Sequence, residues 1–199
     1  MKTSQKIYLP FKRLIGIFGS FVGIIVCFAL LWWWVIPVNA IVTKGHPFFA
    51  RHRIGKDGKA FRCLKFRSMR ADVDPHMSSL DDGFDKGITG FGKFLRVTSI
   101  DETLQLFNIF IGQMAFIGPR PGSAHNEEEL VVEREKYTPN AFEVKPGLGG
   151  LAQYEMHRDH IPENKAYYDH IYAEKISLWF DIKLFFQTIF SVFKSSRGK

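Results

Sequence analysis

Cysteine is scarce: Cys27 lies in an apolar run and Cys63 in a predicted strand, and nothing else in the 199 residues completes a disulfide framework or a zinc site. A reducing, cytosolic setting follows. Acid is also short, 20 Asp and Glu against 27 Lys and Arg, which leaves a net charge of +7 and a pI near 9.4. Such a balance suits an anionic partner, whether lipid headgroups, a nucleotide-linked small molecule or nucleic acid. No charge interrupts Leu14 to Ile36, and no small-residue cleavage site follows Trp32-Trp33-Trp34 before Pro37. At ~1.5 Å per residue that run is about long enough to cross a bilayer core, so it reads as a retained membrane helix.

The length allows one folded domain beside one membrane element. The expected division is a membrane-anchoring segment at 1–43 and a domain at 44–199. Lys2, Lys6, Lys12 and Arg13 precede the apolar run and Lys44, Arg51, Arg53, Lys56 and Lys59 follow it, which pulls both ends to the cytoplasmic side. A re-entrant helix satisfies both flanks and is the reading adopted; a simple span suits the length and an interfacial belt of three tryptophans. Gly16, Gly19, Ser20 and Gly23 supply either a bend or a packing face.

The densest stretch is Arg96 to Pro121, RVTSIDETLQLFNIFIGQMAFIGPRP. Ser99 and Glu102 form an S-x-x-E capping box, predicting a helix that starts at Ile100 to Glu102 and runs to about Gly112. Asp101 and Glu102 then sit in its first turn. Either they are dipole-favoured capping acids, or the free amides hold a carboxylate ionised beside a bound phosphate. Gly118-Pro119-Arg120-Pro121 is either a helix terminator with a solvated arginine or a stiff loop offering a guanidinium fork to phosphate oxygens.

Around this stretch, Pro47 to Ile54 and Ala60 to Met69 read as a β-hairpin turning at Gly55 to Lys59. Lys65 and Arg67 project to one face of its second strand, a solvated edge or a phosphate-facing pair. Ala71 to Gly92 reads as a loop with at most a short helix; Asp81, Asp82 and Asp85 fail the spacing of a calcium loop. Arg96 ends a short basic stretch. Glu127 to Lys136 reads as a charged, solvent-facing helix. Gly147, Gly149 and Ala152 formally match G-x-G-x-x-A, but no repeating βαβ pattern surrounds them. His157 and His160 lack an acid-containing zinc signature. Ile176 to Phe193 is an amphipathic helix with Ile182, Phe185, Phe186, Ile189 and Phe193 on its apolar side, suited to a protein core or to a membrane interface.

FLRVTSIDETLQLFN and FIGPRP, preceded by KFRSMR and followed by KPGLGGLAQ, together resemble the bacterial sugar transferase family, the monotopic phosphoglycosyl transferases, across roughly Arg51 to Phe193. The resemblance implies an α+β, mainly helical fold: a re-entrant N-terminal helix and a small cytoplasmic catalytic domain with a β-hairpin and amphipathic interfacial helices. It implies an enzyme of the bacterial inner membrane that moves a sugar 1-phosphate from a UDP-sugar to a polyprenol (undecaprenyl) phosphate, opening exopolysaccharide or related glycan synthesis. Asp101 would be the nucleophile, Glu102 with Asp101 would hold Mg²⁺, and Lys65, Arg67, Arg96, Arg120, Gln153 and Arg158 would bind substrate. Nucleic acid is not an expected partner, and a homodimer is compatible with the reading. Two departures stand out. The family's mid-helix Ser-Pro break is missing, its expected place falling at Phe28 to Leu31, and the Asn-Gly before the final arginine is replaced by YEMHRDH. Direct transfer without a covalent intermediate, and a non-catalytic anchored protein that binds anionic lipid or nucleic acid, are the alternatives.

Overall fold

The structure is a computed structural model that describes residues 2–74, 84–122, 127–156 and 161–197. Helix α1 (Thr3–Cys27), a π-helical turn (Phe28–Trp32) and α2 (Trp33–Thr43) form one continuous apolar helix, long and apolar enough to cross a membrane by length and composition. The predicted hairpin follows as β1 (Phe48–Ile54) and β2 (Ala60–Phe66), antiparallel with Phe48 opposite Phe66 and Ile54 opposite Ala60. Then come α3 (Phe84–Gly87), α4 (Gly90–Val97), a 3₁₀ turn (Ile100–Glu102), α5 (Gln105–Ile111), β3 (Ala115–Ile117) and α6 (Glu127–Glu135). The chain continues through β4 (Gly147–Gly149), α7 (Leu151–Met156), α8 (Pro162–Lys175) and α9 (Leu178–Arg197). The fold is mainly helical, and its second small sheet is a parallel pair in which Ala115 faces Gly147 and Ile117 faces Gly149.

The long helix lies against the domain along its length. Near its start, Gln5 Nε2 donates to the Glu174 carbonyl at 2.7 Å; near its end, Asn39 Nδ2 donates to the Pro47 carbonyl at 2.9 Å. Between them, Gly16 faces Ile109 at an ordinary contact distance, while Gly19 faces Phe116 and Gly23 faces Leu106 too closely for a larger side chain without adjustment. The small residues are therefore a packing face, which lets α1 approach α5, and no bend is made of them.

At Phe28 to Trp32, where the Ser-Pro break was expected, the helix widens by one π-type turn and continues. Its effect is rotational: Trp32 turns inward to 3 % exposure, stacks on Phe107 at 5.4 Å, and donates its Nε1–H to Thr103 Oγ1 at 2.9 Å. Trp33 stays 64 % exposed. The three tryptophans thus do not form one belt, because neighbouring helical positions point about 100° apart. Trp32→Phe keeps most of the stacking and loses the Thr103 bond, so urea titration should show a loss of about 1 kcal/mol, whereas Trp33→Phe should leave the midpoint unchanged.

Helix α9 combines its two expected settings. Asp181 and Leu184 are buried against the domain, so one side of α9 does belong to the core, while Trp179 is 79 % and Phe190 69 % exposed on an outward-facing aromatic side. Phe116 joins the two apolar surfaces: it faces Gly19 of α1 and meets Phe185 of α9 edge-on, 6.3 Å between centroids. Asp181 anchors the junction by accepting from Tyr8 and Tyr172, each at 2.7 Å, and pairing with Lys12 at 2.7 Å.

Candidate active site

The acidic pair does not open an α-helix. Ile100 to Glu102 form a 3₁₀ turn and α5 starts at Gln105, one turn later than expected. Ser99, in the left-handed region at φ 56°, makes no side-chain cap, and Glu102 does not reach back to close a box. A non-glycine residue held there costs on the order of 1–2 kcal/mol, a cost met by the contacts that fix the turn from both sides. Thr103 Oγ1 donates to the Ile100 carbonyl at 2.8 Å while accepting from Trp32.

With the box open, Glu102 turns to cations. Its Oε1 accepts from Lys65 Nζ at 2.7 Å and from Arg120 Nη2 at very short range, and its Oε2 accepts from Arg120 Nη1 at 3.0 Å. Although burial opposes ionisation, Arg120 and Lys65 hold this carboxyl well below the usual carboxylate range. Burial likewise works against the Arg120 charge, but Glu102 outweighs it and holds the guanidinium firmly protonated.

Asp101 is the contrast. It is 7 % exposed, and among the described residues it takes no hydrogen bond or ion pair. Burial raises its carboxyl from 3.8 to about 6; Lys65, Arg96 and Arg120 pull the other way, and Glu102 adds to the rise. Two adjacent carboxylates thus have different surroundings: Glu102 engages cations, and Asp101 is buried and ionisable with no hydrogen-bond or ion-pair partner among the described residues.

Arg96, from the last turn of α4, donates Nε to Ser68 Oγ at 2.8 Å and lies close enough to Asp101 for their charges to interact. Its helix starts at Gly90, inside the stretch expected to be a loop, where Thr89 Oγ1 caps the Gly92 amide at 2.8 Å. Arg67 is directed elsewhere: Nε donates to the His46 carbonyl at 3.0 Å and the guanidinium lies 5.9 Å from the Phe49 ring centroid. It does not join Lys65 at the pair, because β2 ends at Phe66 and the alternation ends with it. Arg158, His157 and His160 lie outside the described residues, as do Asp81 and Asp82.

Arg120 is held by backbone as much as by Glu102. Gly118 and Gly147 approach so closely that a Cβ on Gly147 would lie 2.1 Å from the Gly118 amide nitrogen, and one on Gly118 would lie 2.4 Å from the Lys145 carbonyl oxygen. These glycines serve the contact between β3 and β4 and are not spare room for a ligand. That contact lets Arg120 Nη1 donate to the Leu148 carbonyl at 2.9 Å. In α7, Gln153 Oε1 is buried without a partner among the described residues, an acceptor available to a bound molecule.

A residue of the supposedly solvent-facing helix α6 completes the support. Arg134 is 3 % exposed; its Nη2 donates to the Arg120 carbonyl at 2.9 Å and to Asp169 Oδ2 at 2.5 Å, and Lys165 Nζ also reaches the Arg120 carbonyl at 2.6 Å. The charge pattern of EEELVVEREK hid this, because a buried arginine reads like its exposed neighbours until Asp169 of α8 is placed beside it.

The arrangement sets two carboxylates among Lys65, Arg96 and Arg120, a net-positive site suited to phosphate oxygens with one unpaired carboxylate beside them. Asp101 and Glu102 also offer the one or two carboxylates that Mg²⁺ takes beside substrate phosphates. Asp101 offers unengaged oxygens, and Glu102 oxygens shared with Arg120 and Lys65. No group of three or more His, Cys, Asp or Glu among the described residues forms an all-protein metal cage.

A carboxylate pair among three cations, on a small helical domain with an apolar helix along it, is the arrangement to be matched. The chain belongs to the bacterial sugar transferase family, whose model matches residues 7–195. It is 37 % identical over 165 residues to a UDP-galactose-lipid carrier transferase of Erwinia amylovora, covering 75 % of this chain and 34 % of the relative. It is 35 % identical over 194 residues to a UDP-glucose:undecaprenyl-phosphate glucose-1-phosphate transferase of Klebsiella pneumoniae, covering 94 % and 41 %, and 37 % identical over 159 residues to the like-named protein of Escherichia coli K12, covering 76 % and 33 %. The chain therefore spans between about a third and two fifths of the length of these relatives.

Proposed function

We propose that this protein is a phosphoglycosyl transferase that moves a sugar 1-phosphate from a UDP-sugar to undecaprenyl phosphate at the cytoplasmic face of the bacterial inner membrane, as the first membrane step of a surface glycan. The observation that carries the reading is Asp101: buried, unpaired among the described residues, and faced by Lys65, Arg96 and Arg120 while Glu102 engages Lys65 and Arg120. The names of the relatives support the donor and acceptor classes.

In this reading an Asp101 carboxylate oxygen attacks the sugar-proximal phosphorus of the donor. The bond from that phosphorus to the bridging oxygen breaks and UMP leaves. A phosphate oxygen of the lipid then attacks the same phosphorus, the bond to Asp101 breaks, and the carboxylate is regenerated beside a polyprenyl diphosphate sugar. Lys65, Arg96 and Arg120 stabilise the equatorial oxygens, and splitting the reaction keeps the two anionic substrates from occupying the site together. When bound by Asp101 and Glu102, Mg²⁺ supplies charge compensation for the diphosphate. Both flanks of the long helix are basic, which supports placing both on the cytoplasmic side, with the outward aromatics of α9 in the same leaflet.

The test is intact-protein mass after detergent-purified protein meets Mg²⁺ and a panel of UDP-sugars without lipid. An adduct of one sugar phosphate, with matching UMP release, is expected for one donor. UMP release only after polyprenol phosphate is added, with no adduct for any donor, would replace the two-step reading by direct transfer.

The raised Asp101 carboxyl fixes a pH dependence. Protonation removes the nucleophile, so kcat/KM for UMP release should fall as pH drops through about 6, roughly two units above an ordinary aspartate limb. Lys65→Met removes a charge that favours the ionised form, and should move this limb to higher pH. A cation bound beside Asp101 lowers the limb, so raising Mg²⁺ should move it toward 4; a limb near 4 at the lowest Mg²⁺ that supports turnover, unmoved by further Mg²⁺, would contradict the assignment.

A further inference from the structure

We propose that a basic pocket at the opposite end of the β3–β4 pair from Arg120 holds the phosphate headgroup of an anionic glycerophospholipid, separately from the Asp101 site. Leu9, Lys12, Arg13 and Gly16 of α1 form one wall; Lys56, Met114, Ala115, Glu143 and Lys145 are among the residues that close it. Because β3 and β4 run parallel, Lys145 before β4 lies at one end of the pair, and the Gly118 to Arg120 loop that follows β3 leaves from the other. The cavity, about 80 Å³, is smaller than the roughly 300–1,000 Å³ of pockets that enclose whole small-molecule ligands, so it suits a headgroup and not a nucleotide sugar.

Cations converge here without an equal number of acids. Gly112, at φ 94°, ends α5 and leaves its Cα face bare; a Cβ there would lie 3.1 Å from Arg13 Nη2 and 3.2 Å from Lys145 Nζ. The guanidinium and the ammonium therefore meet over one glycine. Arg13 is fixed in that position by donating to the Ile109 and Phe110 carbonyls at 2.5 and 2.7 Å. Burial lowers the Lys145 pKa, and Arg13 and Lys56 lower it further, a mutual repulsion that a bound anion would relieve. Lys12 is already neutralised by Asp181 at 2.7 Å. The remaining acid of the lining, Glu143, accepts the Asn140 amide at 3.2 Å in a turn cap, and among the described residues no carboxylate pairs with Arg13, Lys56 or Lys145.

The surroundings select a lipid over a free anion. Phe11 (60 %), Leu14 (62 %) and Ile111 (62 %) are exposed on the same helix turns and beside the same glycine, an apolar surface to receive acyl chains where the cations receive the phosphate. A soluble phosphate would use the charges and gain nothing from that surface.

The experiment is native mass spectrometry of the full chain released from mixed micelles of phosphatidylcholine and phosphatidylglycerol. The parent protein should retain phosphatidylglycerol in preference to phosphatidylcholine. Lys56→Gln with Lys145→Gln should lower that retention on the order of tenfold, and Lys56→Arg with Lys145→Arg should keep it. Lys86→Gln with Lys93→Gln, which removes the same charge from exposed positions, should leave it unchanged. Equal retention of both lipids, or undiminished retention by the double glutamine variant, would overturn the proposal. Glycerol 3-phosphate bound as tightly as phosphatidylglycerol would make it a free-anion site and overturn the lipid assignment. A raised KM for polyprenol phosphate in the double variant, with phosphatidylglycerol retention intact, would place the acceptor there and overturn it too. Apart from that KM, which presupposes the transfer reaction, none of these outcomes depends on the Asp101 chemistry, which the adduct experiment tests alone.

Discussion

Asp101→Asn is expected to lower sugar-phosphate transfer by roughly 10⁴-fold or more, as loss of a nucleophile does, and at the same time to raise the unfolding midpoint. The two effects share a cause. Folding buries this carboxylate, and its pKa rises from 3.8 to about 6 because burial outweighs the nearby cations. The folded state thus binds the proton more tightly than the unfolded chain does. Protonation stabilises the fold as pH falls through about 6 toward 4, and at neutral pH the ionised group is a full liability, on the order of 3 kcal/mol. Asparagine keeps the shape and removes the charge. An inactive variant that melts higher, with unchanged donor affinity by calorimetry, is what a nucleophile held at a cost in stability would give. A variant that is inactive and less stable would indicate that Asp101 holds the turn together, and one within tenfold of the parent would remove it from the chemistry.

How much of this was readable in the chain depends on the range of the interactions involved. The hairpin is local: alternation in AFRCLKF and the glycines of GKDGK specify strands and turn, and the register follows. The long helix and α9 announce themselves by composition and period. The motif residues Lys65, Glu102 and Arg120 do converge beside Asp101, although Lys65 lies 37 residues and Arg120 18 residues from Glu102; the resemblance to a family, and no local rule, made that meeting legible. Where local rules failed, a distant partner had decided the outcome. Ser99 and Glu102 spell a capping box, yet Lys65 and Arg120 outcompete the backbone amide for the carboxylate, so the helix starts later. Trp32 sits in a run that reads as membrane-facing on every side, and a π turn imposed by packing on Phe107 and Thr103 turns it inward. β3 and β4 are three residues each, too short for a period, and their pairing rests on glycines whose backbone contacts no pattern displays.

Arg134 is the strongest case of that kind, and its replacement carries the largest expected loss of stability. With Asp169 it forms an ion pair whose side chains are 4 % and 1 % exposed. Arg134→Met leaves the Asp169 carboxylate buried without its partner, and should cost about 3–5 kcal/mol in denaturant titration. Arg134→Lys keeps the charge but not the planar fork that reaches Asp169 and the Arg120 carbonyl together, so it should recover only part of the stability. The informative variant is Arg134→Met with Asp169→Leu, because two apolar groups of similar size often replace a buried pair at little cost. If Arg134 is a positioning residue, the double variant regains its midpoint while kcat/KM stays about tenfold down, since among the described residues the Arg120 carbonyl keeps Lys165 alone as a side-chain donor and the guanidinium above Glu102 loses one of its restraints. The deficit should sit in kcat more than in KM, as expected of a group that acts through the geometry of Arg120 at the transferring phosphate. Recovery of both stability and rate would assign the pair to the core alone, leaving Glu102 and the Leu148 carbonyl as sufficient to place the arginine.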